Sequence, residues 1–167
     1  MVYNEKKNIL LTAFSGTSSE ILLKGFNDFS VVMLPNDKVR DSEILIKTFS
    51  GTHFDYVLSF GQRPNIKDTV YIETTAREGE LRRDTVFDGE RLRLLFEQNG
   101  IPAKLSDNAG TSFCNRLYWN GLKYIVENKL KTKMVFVHVP FIKNISGFEL
   151  FQERILNTLK LLKGGEL

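Results

Sequence analysis

The chain holds one cysteine and two histidines, so its possible nucleophiles and bases can be taken one at a time. Cys114 follows Ser106-Asp107-Asn108-Ala109-Gly110-Thr111-Ser112, a strand exit rich in turn formers, and opens a predicted helix. A thiol in a first helical turn meets the positive end of the macrodipole, which would lower its pKa and favour the thiolate. That setting suits a nucleophile, and the same first-turn amides could stabilise an oxyanion. The competing role is that of a small buried hydrophobe. His138 stands near the end of an otherwise apolar strand, before Val139-Pro140, as a core residue or a base aimed at a cleft. His53 lies in a polar helix-to-strand turn, so His138 is the better partner for Cys114. Glu73 ends a strand after Val70 and Ile72. It is a solvated strand end or the acceptor that orients the imidazole.

The elements that must position these groups can be read from hydrophobic periodicity. Strands are predicted at 9–14, 31–34, 56–60, 69–74, 102–105 and 134–139, with a turn over Gly61-Gln62-Arg63-Pro64. Helices are predicted at 20–26, capped by Ser18 and Ser19, at 38–49 with Val39, Ile46 and Phe49 inward, and from Asp88 to Gln98. Two more run over 113–129, with Tyr118, Leu122, Ile125 and Val126 on one side, and along the final stretch through Phe148, Phe151, Ile155, Leu159 and Leu162. The polar stretch from Ala76 to Arg83 reads as an exposed loop. Strands separated by helices predict a three-layer α/β/α sandwich with a mostly parallel, mixed central sheet, the fourth strand running antiparallel to its neighbour. Ligands bind at the carboxyl ends of strands in such sheets. That rule nominates 14–17, 61–64, Glu73, 106–114 and 138–141.

The 167 residues, without repeat or linker, are expected to form a single domain over 1–167. The net charge of +3 is too balanced for a nucleic-acid binder. One cysteine excludes a disulfide framework and a thiolate-rich zinc site. The apolar run at 9–14 is too short for a signal-peptide core or membrane span, which points to the cytoplasm and to no membrane partner. No Gly-rich phosphate loop follows the first strand.

The segment from Ile101 to Asn115 resembles the cysteine region of the type I pyroglutamyl peptidases, with Ser106, Ala109, Gly110, Cys114 and Asn115 in register. Val135-Phe136-Val137-His138-Val139-Pro140-Phe141 is similar to that family's histidine strand. Gly61, Pro64, Val70 and Glu73 are similar to its glutamate region, and 10–14 to its opening strand. The resemblance implies a cysteine exopeptidase without metal or cofactor that removes an N-terminal pyroglutamyl residue from peptides. In it Cys114 is the nucleophile, His138 the base and Glu73 the orienting carboxylate. Members of that family are often oligomeric, so a homo-oligomer is possible, although the contacts there could use the segment that is shortened here.

The departures lie on the substrate side. The family's opening loop brings two aromatics to the lactam ring, and only Phe14 matches here. An extra residue separates Pro64 from Glu73, Thr74 stands where a basic residue is expected, and the segment before Asp88 is short. Phe113 and Phe141 become possible pocket walls. Arg63, Arg77, Arg82 and Arg83 are a solvated face or could meet an anionic substrate group or the oxyanion. Two further functions stay open: a triad acting on another small N-terminal group, and a non-catalytic binding domain on the same scaffold.

Overall fold

Strands with no polar side to turn outward become the centre of a sheet covered on both faces. β1 (Ile9–Phe14) is buried at every position, and β8 (Lys133–Pro140) at every position after Lys133. The computed structural model describes residues 5–165. Between these two strands run α1 (Ser18–Leu23), β2 (Ser30–Leu34), α2 (Arg40–Gly51), β3 (Tyr56–Arg63), β4 (Val70–Glu73), β5 (Thr75–Glu78) and β6 (Leu81–Asp84). Then come α3 (Gly89–Gln98), β7 (Ala103–Ser106) and α4 (Phe113–Glu127), and α5 (Phe148–Lys163) follows β8.

Six strands form the main sheet in the order β2-β1-β3-β8-β4-β7. All neighbours are parallel except β4 and β8, which run antiparallel as expected. One face of the sheet packs Leu11, Leu58, Val70, Ile72, Val135 and Val137 against α1, α3 and α5. The other packs Leu10, Val57, Met134 and Phe136 against α2 and α4. The fold is therefore the three-layer α/β/α sandwich with a mixed sheet.

Several local expectations shift. α1 begins at Ser18 with Thr17 at its N-cap, so Ser18 and Ser19 lie inside the helix and are buried. In α2 the inward positions are Asp41, Ser42, Leu45 and Phe49. Val39 precedes the helix and is 67% exposed, and Ile46 is only half-buried. Val126 of α4 also faces outward, because Leu122 and Ile125 define the buried stripe. β3 does not stop at Phe60 but continues through Gly61, Gln62 and Arg63, paired with β8 to its end. The polar stretch after Glu73 is not a loop but the β5–β6 hairpin. Its two-residue connection starts at Gly79 with φ of 59°, the positive φ that such hairpin turns need.

Candidate active site

Alternation along the central strands puts the polar residues of the site on the α2/α4 face. Gly61 pairs with His138, His138 with Tyr71, and Phe136 with Glu73, so these residues share that face. Because β4 runs antiparallel, Glu73 lies level with Phe136, below the mouth of the sheet, and is fully buried. His138 is also buried, and its Nδ1 is 2.8 Å from Glu73 Oε1. Arg63, at the end of β3, donates Nη1–H to the same Oε1 at 3.1 Å. The Tyr118 hydroxyl of α4 donates to the Glu73 main-chain carbonyl at 2.8 Å, which ties the strand to the helix below it.

Cys114 opens α4 as predicted, half-buried beside Phe113. A side chain at Gly61 shows how close the thiol comes, since a Cβ there would lie 2.6 Å from Cys114 Sγ and 2.8 Å from Phe136 Cζ. Gly61→Ala is expected to move the sulfur or the ring. Overpacking of this kind costs about 1–3 kcal/mol. A misplacement near 1 Å costs roughly 10²-fold in rate. Denaturant titration and turnover of the variant check both parts, and a variant as active and as stable as the wild type would refute the crowding argument.

The thiol departs from the expectation for a first-turn cysteine. Burial pushes it up to about 12, and the Glu73 carboxylate adds to the rise. The helix amide acts in the predicted direction but is outweighed. The sequence-based expectation of a thiolate is therefore corrected: packing against Gly61 and Phe136 removes more hydration than the helix start replaces.

A cavity of about 520 Å³ opens onto Cys114 and His138. Its lining includes Gln62, Arg63, Tyr71 and Asn108. Thus Cys114, His138 and Arg63 meet at one cavity, with Glu73 beneath. Phe14, Phe113 and Phe141 are not among its lining residues. Phe14 and Phe113 instead belong with Cys114 to the apolar cluster under α4, and Phe141 follows β8 with Lys143 over its ring. Arg77 and Arg82 are engaged with Asp107 and Asp84, and Arg83 lies over Trp119. His53 is exposed and faces Asp55.

Three roles go beyond the sequence reading, although Gln62 falls within the nominated stretch 61–64. Gln62 lines the cavity while its Oε1 accepts from the Ser18 amide and hydroxyl at 3.0 and 2.8 Å, joining β3 to α1. Tyr71 lies under the Arg63 guanidinium, 4.5 Å from ring centroid to Cζ. Asp41 is fully buried in the first turn of α2, and its Oδ2 has no hydrogen-bond partner among the described residues. The continued alternation of β3 and β4 could have found the first two; nothing in the helical pattern marked the third.

Burial raises Asp41 to about 6. The folded state therefore holds this proton more tightly than the unfolded chain does. The associated stability is fully present below about pH 4 and is lost as pH rises through 6. Asp41→Asn escapes that loss. Its unfolding free energy, relative to the wild type, is expected to gain about 2–3 kcal/mol between pH 4 and pH 8. Urea titrations at the two pH values check this, and a difference that does not change with pH would refute it.

A family model described as pyroglutamyl peptidase matches residues 87–150, a span that includes Cys114 and His138. The pyrrolidone-carboxylate peptidase of Fusobacterium nucleatum is 28% identical over 141 residues, covering 71% of this chain and 65% of that protein. Pyrrolidone-carboxylate peptidase 2 of Caldanaerobacter subterraneus is 44% identical over 46 residues, covering 28% of this chain and 22% of that protein. The chain thus spans less than two thirds of the length of these curated relatives. Among solved structures, pyroglutamyl peptidase I of Bacillus amyloliquefaciens superposes with a TM-score of 0.81 at 18% identity, covering 92% of this chain and 95% of that one. The pyrrolidone carboxyl peptidase of Thermococcus litoralis gives 0.76 at 20% identity, covering 93% and 92%. At these identities the structural likeness speaks for the fold.

Proposed function

The chain being related to the pyroglutamyl peptidase family, we propose that it is a cysteine exopeptidase that removes an N-terminal pyroglutamyl residue from peptides. The observation that carries this reading is the 2.8 Å contact between His138 Nδ1 and Glu73 Oε1, with His138 and Cys114 on one cavity. An imidazole held through Nδ1 turns Nε2 toward the work of a base.

The Cys114 thiol attacks the carbonyl carbon of the pyroglutamyl residue. Because the resting thiol is neutral, its proton passes to His138 Nε2 as the carbon–sulfur bond forms. Glu73 stabilises the imidazolium that results. The carbonyl oxygen becomes an oxyanion, and the start of α4 offers amide donors for it. The first amides of a helix lack intrahelical acceptors, and no side chain caps this end. Collapse of the tetrahedral intermediate breaks the amide bond, and His138 returns the proton to the leaving amine. Water, deprotonated by the same nitrogen, then hydrolyses the thioester. The lactam ring lies in the cavity on Cys114, whose less polar lining includes Ile66, Tyr71 and Ala109.

The test is release of a fluorescent amine from a pyroglutamyl amide by the purified protein. Turnover that stops on prior alkylation of Cys114 supports the proposal. No turnover of that substrate or of pyroglutamyl peptides overturns it.

A further inference from the structure

Glu73 Oε1 accepts from Arg63 Nη1 at 3.1 Å and lies 2.8 Å from His138 Nδ1, while Oε2 is buried and has no partner among the described residues. Among the described residues Arg63 is the cation that touches this carboxylate, which is itself fully buried. The Tyr118 hydroxyl is spent on the main-chain carbonyl. The guanidinium lies over the Tyr71 ring, with Nη1 also 3.5 Å from Ser106 Oγ. Tyr71 pairs directly with His138 across β4 and β8, so one local frame fixes the cation and the imidazole together.

We propose that Arg63 is a positioning residue: by donating to Glu73 Oε1 it keeps that oxygen an acceptor, and so holds His138 in the tautomer protonated on Nδ1. The inference rests on the reading of His138 as the base for Cys114. An imidazole carries its hydrogen on one nitrogen when neutral, and the partner of the other nitrogen decides which. An oxygen that already receives a guanidinium N–H is a poor seat for a proton of its own. Nδ1 must then supply the hydrogen of the 2.8 Å contact, which leaves the Nε2 lone pair free for the thiol proton. Without the cation, a buried carboxylate has no counter-charge and favours its neutral form. A proton on Oε1 would donate to Nδ1, and the ring hydrogen would move to Nε2. The ring would be in place but unable to accept.

With only two histidines in the chain, uniform ¹⁵N labelling reads the tautomer directly, and exposed His53 serves as the internal reference. The wild type is expected to show the Nδ1–H pattern for His138 at pH 8. Arg63→Ala is expected to shift it to Nε2–H or to a mixture, with kcat down roughly 10–100-fold and KM nearly unchanged. Arg63→Lys, which keeps a donor and a charge, should restore the pattern and most of kcat. If Arg63→Ala unfolds, Arg63→Gln, which keeps volume and a donor but loses the charge, replaces it, with the same shift expected in part. An unchanged Nδ1–H pattern in a folded Arg63→Ala or Arg63→Gln protein overturns the proposal. So does a rise in KM at constant kcat, which would make Arg63 a substrate clamp. A tautomer shift in a protein that never turns over pyroglutamyl substrates would instead overturn the proposed activity and leave the role of Arg63 standing.

Discussion

Cys114→Ser is expected to lose at least about 10³–10⁴-fold in kcat toward a pyroglutamyl amide while keeping the fold of the wild type. The hydroxyl is smaller than the thiol and fits the space beside Gly61 and Phe136, so the loss reports chemistry. The neutral resting thiol gives a second readout. Raising a thiol from about 9 to about 12 cuts the thiolate at pH 7 by about 10³. The more basic thiolate is intrinsically more nucleophilic, which recovers roughly 20-fold. Alkylation of Cys114 by iodoacetamide should therefore run roughly 50-fold slower than that of a free thiol at pH 7, and should climb about tenfold per pH unit well past pH 9. Mass spectrometry of labelled protein over a pH series measures it. Fast labelling at neutral pH would mean that a thiolate–imidazolium pair already exists at rest, and the proton transfer would then precede attack.

How much of this was legible in the residues depends on what each one had to say locally. The largely apolar runs of β1 and β8 point to buried strands, and the structure places them beside β3 at the centre. The single cysteine at a helix start and the histidine near a strand end were findable because both elements have strong patterns. Three features were not. β3 was cut short because Gly61 and Pro64 punctuate a sequence like a turn, yet the glycine is there to let the sulfur approach. The β5–β6 hairpin reads as a loop because it forms its own two-stranded sheet and, apart from Ala76, shows little buried apolar surface. The state of the thiol is not legible locally because a macrodipole is visible in one helix, whereas desolvation depends on β3, β8 and α4 meeting in space. Asp41 follows the same logic, since a helix wheel sends an aspartate outward and only packing reveals that this one lies inside.

Glu73→Gln separates charge from geometry at the carboxylate. The amide oxygen can still accept from His138 Nδ1 and from Arg63 Nη1, so the ring keeps its orientation and the two existing contacts survive. What disappears is the negative charge beside an imidazolium formed where both side chains are almost completely buried. At an effective dielectric constant near 20, a unit charge about 4 Å away is worth about 4 kcal/mol. That corresponds to about 10³-fold in rate, and an asparagine in the equivalent position of a serine triad costs about 10⁴-fold. We therefore expect kcat to fall 10³–10⁴-fold with little change in KM. Arg63 would make the loss worse, because its charge then faces the imidazolium without the carboxylate between them. The loss of stability should be small beside the loss of rate, since both hydrogen bonds survive and Arg63, 31% exposed, keeps part of its hydration. A fall of less than tenfold would mean that His138 works without an ionic partner. Glu73 would then be a structural acceptor, and its burial below the mouth of the sheet would serve the packing of β4 against Tyr118 instead of the proton transfer.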